Sequence, residues 1–231
     1  MNELILSLST ATDMISVALH ASGQLLCHLK HQQAHSAGEV LPEMVAEVFA
    51  KAAQSPSALC AVAIASGPGS YTGLRIGTAF TKGLCCAQNL PLVPINTLEV
   101  LCHSAKSFPM AEGQLLYALL DARRSYVYGL LVDHKGSILE GTHVCSISAL
   151  KTEMVKGHHH LYLVGSGVTY AREMQLDIPH TVIAGDAPLA SAMGHLAYKA
   201  FQQKAFAADD YEPLYLSALG AYAPKKPKPL V

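Results

Sequence analysis

Apolar positions along this chain switch between short runs and helical spacing, and the switches mark its elements. Residues 4–8, 15–20 and 24–30 read as three strands in a meander, with small polar turns at 9–13 and 22–23. From residue 36 the period changes. Val40, Leu41, Met44, Val45, Val48 and Phe49 recur at threes and fours and predict an amphipathic helix to about residue 53. Residues 59–65 are continuously apolar and predict a buried strand. It runs into Ser66-Gly67-Pro68-Gly69-Ser70, and a proline-free pattern then predicts a helix over 71–88. A strand at 92–95 and a short helix ending near Ser104 complete a β-β-β-α-β-α-β order.

A linker over 106–113, carrying Pro109 and Gly113, leads to a second set. Strands are expected at 114–120, 126–133 and 138–144, with a hairpin turn at 133–136. A short helix from about Ser148 and strands at 161–164 and 181–183 follow. Leu189, Met193, Leu196, Ala197 and Ala200 share one face of a helix expected over 187–204. The second half roughly echoes the first, without a sequence repeat at fixed period. The expected division is a first lobe at 1–105, a smaller second lobe at 106–220 and an extended, disordered Lys-Pro tail at 221–231.

The 231 residues are 51% hydrophobic and 14% charged, which makes a rich core and a lightly charged surface, some of it available to a partner. A net charge of −1 gives no global attraction to nucleic acid. None of the six cysteines forms a Cys-x-x-Cys pair, and most sit in apolar runs, as buried thiols of a reducing compartment do. No basic leader and no run of eighteen apolar residues is present, so a cytoplasmic protein without a membrane span is expected.

The glycine-rich turn between strand and helix is the first candidate for chemistry. Gly67 and Gly69 permit a tight turn, and Ser70 or Thr72 can cap the helix. Gly73 and Gly77 lie on one helical face and invite close approach. Free N–H groups at such a turn can hold a phosphate. The spacing nevertheless fits neither a Walker A loop, since Lys82 lies well down the helix, nor Gly-x-Gly-x-x-Gly, since Gly73 comes one place late. Close packing and phosphate binding both stay open.

Other candidates are weaker. His31 and His35 have a two-ligand spacing for a helix, but they fall between a strand and a helix start. His158, His159 and His160 are adjacent, so an extended chain points them to opposite faces. Asp121 and Arg123 read as an ordinary turn pair or as cleft residues. No Gly-x-Ser-x-Gly elbow and no nucleophile, base and acid set occurs.

The segment Gly-Pro-Gly-Ser-Tyr-Thr-Gly-Leu-Arg-Ile-Gly, from Gly67 to Gly77, resembles the signature of the bacterial TsaB (YeaZ) family, and the resemblance spans nearly the whole chain. His35 leading into Leu41-Pro42, Asp121-Ala122-Arg123 followed by Val127-Tyr128, Val164-Gly165-Ser166-Gly167 and Pro213-Leu214-Tyr215-Leu216 resemble further family segments. The resemblance implies an α/β, two-lobed actin, Hsp70 and sugar-kinase-like duplicated fold (the ASKHA, ribonuclease H-like class), whose first hairpin turn meets nucleotide phosphates in binding relatives. It implies an accessory, non-catalytic subunit of tRNA threonylcarbamoyladenosine synthesis, working with a TsaD-type transferase and a TsaE-type ATPase. The chain would form a homodimer when alone and meet tRNA only through the complex.

Two departures matter. Ser9 stands where the family usually has aspartate, which removes the charge a nucleotide's Mg²⁺ would need, although Asp13 could stand in. Ser217 replaces an arginine near the end. The helices at 36–53 and 71–88 are expected to form the partner surface, with His35, Leu41, Pro42, Met44, Val45, Tyr71, Leu74, Arg75 and Thr78 as contacts. Ser9, Thr10, Thr12, Gly67, Gly69, Ser70, Gly165 and Gly167 are candidate nucleotide contacts. No metal and no tightly bound cofactor is expected, and ATP or ADP is a candidate ligand of the assembled complex. Lys225, Lys226 and Lys228 are candidates to graze RNA. The alternatives are a small-molecule kinase or ATPase of the same fold, with metal at Asp13 or Asp121, and a metalloprotease using His31 and His35.

Overall fold

A computed structural model describes residues 3–32, 37–105, 108–154, 160–173, 179–185 and 187–216. The first lobe contains β1 (Leu4–Ser9), β2 (Met14–Ala21), β3 (Gln24–Gln32), α1 (Ala37–Ala52), β4 (Leu59–Ala65), α2 (Tyr71–Gln88), β5 (Leu92–Ile95) and α3 (Thr97–Ser104). The second contains β6 (Leu115–Asp121), β7 (Tyr126–Asp133), β8 (Ile138–Ser146), α4 (Ile147–Met154), β9 (Leu161–Val164), α5 (Val168–Glu173), β10 (His180–Val182) and α6 (Gly194–Gln202).

The two sheets are duplicates. Their strand orders are β3-β2-β1-β4-β5 and β8-β7-β6-β9-β10, antiparallel through the meander and parallel thereafter. Alternation along β1 and β4 decides what each face holds. Leu4, Leu6, Leu8, Val62 and Ile64 point toward α1 and α2 and pack with Leu41, Val48 and Phe49. Ile5, Ala61, Ala63 and Ala65 point the other way, toward Met193 and Ala197. α3 sends Leu98, Leu101 and Cys102 onto Leu116, Ala118, Leu120 and Leu130 of the second sheet. α3 and α6 therefore lie between the two sheets, with α1 and α2 outside the first. The far face of the second sheet buries Tyr117, Leu119, Leu161 and Leu163 with Leu150 and Val168.

Most expected elements stand, with shifted ends. β2, β3 and β8 run longer than expected, and β10 begins one residue earlier. The helix expected over 187–204 is wrong in its first third. Leu189 is extended at ψ 140, a single 3-10 turn covers Ala190–Ala192, and α6 starts only at Gly194. The Ala190 N–H donates to Ser16 Oγ at 2.8 Å instead of to a helical carbonyl. His35, His158, His159, Ser217 and the tail over 221–231 lie outside the described residues. No helix among the described residues is long and apolar enough to cross a membrane.

Candidate functional site

The glycine-rich turn proves to be a clasp. Gly67 has φ 105 and exchanges two bonds with Thr97: its N–H reaches Thr97 Oγ1 at 2.9 Å, and its carbonyl accepts the Thr97 N–H at 2.9 Å. Ser70 caps α2, its Oγ accepting the Gly73 N–H at 3.3 Å. The Ser70 N–H donates to the Ala11 carbonyl at 2.7 Å, and Thr10 Oγ1 donates to the Gly73 carbonyl at 2.8 Å. A Cβ on Gly69, Gly73 or Gly77 would run into the Ala11 carbonyl, the Thr10 carbonyl or Thr10 Oγ1 respectively. Thr10 is fully buried. Of the two readings left open by the sequence, close packing accounts for these glycines. The N–H groups of Gly67 and Ser70 and the hydroxyl of Thr10 already have protein partners.

The second lobe repeats the arrangement. The Gly167 N–H donates to the Leu119 carbonyl at 3.0 Å, and a Cβ on Gly165 would meet that same oxygen. The Asp121 N–H donates to Ser166 Oγ at 3.2 Å. The Asp121 carboxylate accepts the Arg123 backbone N–H at 2.7 Å and the Tyr170 hydroxyl at 3.1 Å. The Asp121 and Arg123 contact is thus made through the Arg123 backbone.

Between the lobes lies a cleft of about 770 Å³. Thr12, Asp13, Lys30, Gly69, Ser70, Asp121, Arg123 and Ser166 line it, so the structure brings Asp13 and Asp121 to one cavity. Ser9 is fully buried and is not among the residues lining the cleft, and its Oγ has no partner among the described residues. Thr12 Oγ1 is turned to its own loop, accepting the Met14 N–H at 3.2 Å. No group of three His, Cys, Asp or Glu side chains suited to a metal occurs among the described residues.

A second groove, of about 690 Å³, runs along α2 beneath the returning C-terminal segment, and sequence reasoning missed it. Tyr71, Arg75, Thr78 and Lys82 form the helix side, and Tyr211, Pro213, Tyr215 and Leu216 the other. The Leu214 N–H donates to the Ser66 carbonyl at 2.8 Å, and the Tyr128 hydroxyl of the second lobe donates to the Leu216 carbonyl at 3.2 Å. Tyr71 and Tyr215 rings lie 5.0 Å apart, with the Arg75 guanidinium 5.4 Å from the Tyr71 centroid. Burial pushes the Tyr211 phenol up to about 12. The spacing of Tyr211, Pro213 and Tyr215 was the available signal, but nothing local says which surface such a segment crosses.

The expected partner contacts divide sharply. Leu41 and Leu74 have no exposed surface, and Met44 and Thr78 are nearly as buried, so these four belong to the chain's own packing and not, as expected, to a partner surface. Pro42, Tyr71 and Arg75 are exposed, and Val45 is half-buried. The outward faces hold a row of small residues, Gly38, Pro42, Ala46 and Ala50 at intervals of four on α1 beside exposed Glu39, Glu43, Glu47 and Lys51, and Thr72, Ala79, Gly83, Cys86 and Ala87 on α2. A Cβ built on Gly38 or Gly83 meets open space.

The profile of the TsaD family, described as tRNA N6-adenosine threonylcarbamoyltransferase, matches residues 30–209. A tRNA threonylcarbamoyladenosine biosynthesis protein TsaB from Haemophilus influenzae is 29% identical over 228 residues, 93% of this chain and 94% of that one. The Escherichia coli protein of the same name is 34% identical over 124 residues, 54% of this chain and 52% of that one. The structure of YeaZ from Pseudomonas aeruginosa superposes with a TM-score of 0.80 at 25% identity, covering 93% of this chain and 100% of that one. The duplicated sheets with a helical layer between them are the two-lobed actin and sugar-kinase architecture. With a profile spanning both lobes and a TsaB relative aligned along nearly its whole length, the chain belongs to the TsaD family, on its TsaB (YeaZ) branch.

Proposed function

We propose that this protein is a non-catalytic subunit of tRNA threonylcarbamoyladenosine synthesis that docks a TsaD-type transferase through the outer faces of α1 and α2. Alone, it pairs with a second copy through the same faces. A TsaE-type ATPase joins the assembled complex, tRNA is met through that complex, ATP or ADP belongs to the assembly, and the setting is the cytoplasm.

The observation that carries this reading is Gly83. It sits inside an 18-residue helix, is exposed, and a Cβ built on it would meet nothing within 4 Å. An exposed glycine inside a helix costs about 1 kcal/mol relative to alanine, without any return inside the isolated chain. A second helix backbone approaching across Ala79, Gly83 and Cys86 supplies that return. The clasped turns and the neutral, buried Ser9 support an accessory role, since they leave less of the usual nucleotide machinery to this chain.

Gly83→Leu tests the proposal. Within the free chain it should raise stability by up to about 1 kcal/mol, because leucine is the better helix former and has room. It should also abolish association with the TsaD-type subunit of the same organism, measured by light scattering and by restored tRNA modification. Unchanged association would sink the docking face. ATP turnover by the isolated chain would favour the kinase reading.

A further inference from the structure

α2 buries Leu74, Gly77, Thr78, Thr81 and Cys85, and Ile76, Phe80 and Leu84 pack half-buried against the same core. That stripe fixes which face α2 turns inward, while apolar contact carries no directional bond along the axis. One residue of rise along α2 is only about 1.5 Å, so a small axial slide already shifts its exposed side chains against a partner. Directional contacts concentrate at the N-terminal end, with Lys82 Nζ donating to the Asp209 carbonyl at 3.3 Å further along. The Thr10 hydroxyl holds the Gly73 carbonyl, the Ala11 carbonyl holds the Ser70 N–H, and Gly69, Gly73 and Gly77 fit against Thr10 and Ala11 only because they lack a Cβ.

We propose that Thr10 is a positioning residue, and that the β1–β2 turn is the seat that sets the axial register of α2 and so presents its docking face. The inference rests on the docking reading above. It assigns to Thr10 a role different from the phosphate contact expected from the sequence. That turn meets phosphates in nucleotide-binding proteins of the fold. Here its threonine has no exposed surface and its hydroxyl is committed to a helix 63 residues away in the chain.

Calorimetric titration of the full chain with the TsaD-type subunit tests it. Thr10→Val removes the donor and presses a methyl toward Gly77, and should weaken the dissociation constant about tenfold, the equivalent of one good hydrogen bond. Thr10→Ser keeps the donor and should stay within about twofold. Leu130→Ala, in the second lobe, lowers the melting temperature without touching the seat, and should leave affinity unchanged at temperatures where the chain is folded. Thr10→Ala, which deletes the hydroxyl without the pressing methyl, serves if Thr10→Val does not fold.

Wild-type affinity in folded Thr10→Val or Thr10→Ala overturns the inference. So does an equal loss in Leu130→Ala, which would make the effect one of general stability. Failure of the wild-type chain itself to bind removes the docking reading and this inference together. Wild-type binding with insensitive Thr10 variants removes this inference alone.

Discussion

His20 shows how much one side chain can hold in this architecture. It is almost wholly buried on β2, with Nδ1 3.2 Å from Ser7 Oγ and Nε2 3.4 Å from the Ser191 carbonyl. A carbonyl only accepts, so Nε2 carries the proton and Nδ1 accepts from the serine. Burial lowers the His20 pKa, and the Ser191 carbonyl raises it less. The folded protein therefore keeps a neutral ring where the unfolded chain would protonate. Stability should be full above about pH 6.5 and decline as pH falls below it, at up to about 1.4 kcal/mol per pH unit for this one proton. Melting curves between pH 7.5 and 5 should show this decline, and His20→Asn should flatten it. An unchanged slope would show that the ring is not the group being titrated. The sequence placed His20 on a strand. It could not show the serine pair that accommodates it, because Ser191 arrives from 171 residues away.

Element-scale patterns were easier to read than their consequences. The helical spacing of Leu41, Met44, Val48 and Phe49 correctly identified α1, and the same spacing marks the face that α1 buries in its own lobe. Leu41 and Met44, expected at an interface, belong to this buried stripe, and the proposed docking face on the other side of the helix gives little hydrophobic signal. The final helix was overextended because Leu189 and Met193 fit its period, while the interruption depends on Ser16. Cys85 and Cys86 give α2 a direct readout of its two faces. Cys85 is buried and its thiol is pushed up to about 11 by desolvation, whereas Cys86 is exposed. The thiolate is the reactive form, so an alkylating reagent should modify Cys86 and leave Cys85 intact in the dilute free chain. Adding the TsaD-type subunit should protect Cys86. Equal labelling with and without the partner would place the interface elsewhere.

At the scale of the whole molecule, the two lobes are not independent bodies joined by a linker. α3 leaves the first sheet and packs on the second, while α6 leaves the second and packs on the first. Asn96 adds a direct tie: its Oδ1 caps α3, and its Nδ2 donates to Thr142 Oγ1 on β8 at 2.8 Å. Tyr128 and the C-terminal segment make another. Unfolding either lobe strips the cover from the other's core, so calorimetry should record one cooperative transition with matching calorimetric and van't Hoff enthalpies. The seat of α6 offers the means to break that coupling. Ala61, Ala63 and Ala65 are fully buried and small, which lets Met193 and Ala197 approach the sheet. Ala63→Leu adds volume at that seam, where overpacking costs about 1–3 kcal/mol. Because the insertion lies between α6 and the first sheet, the strain falls on the packing that joins the lobes. The expected result is a lower and broadened transition, with the calorimetric enthalpy exceeding the van't Hoff value as the lobes begin to melt separately. A lower but still two-state transition would mean that the remaining ties, Asn96 to Thr142 and Tyr128 to Leu216 among them, suffice to keep the molecule a single cooperative unit.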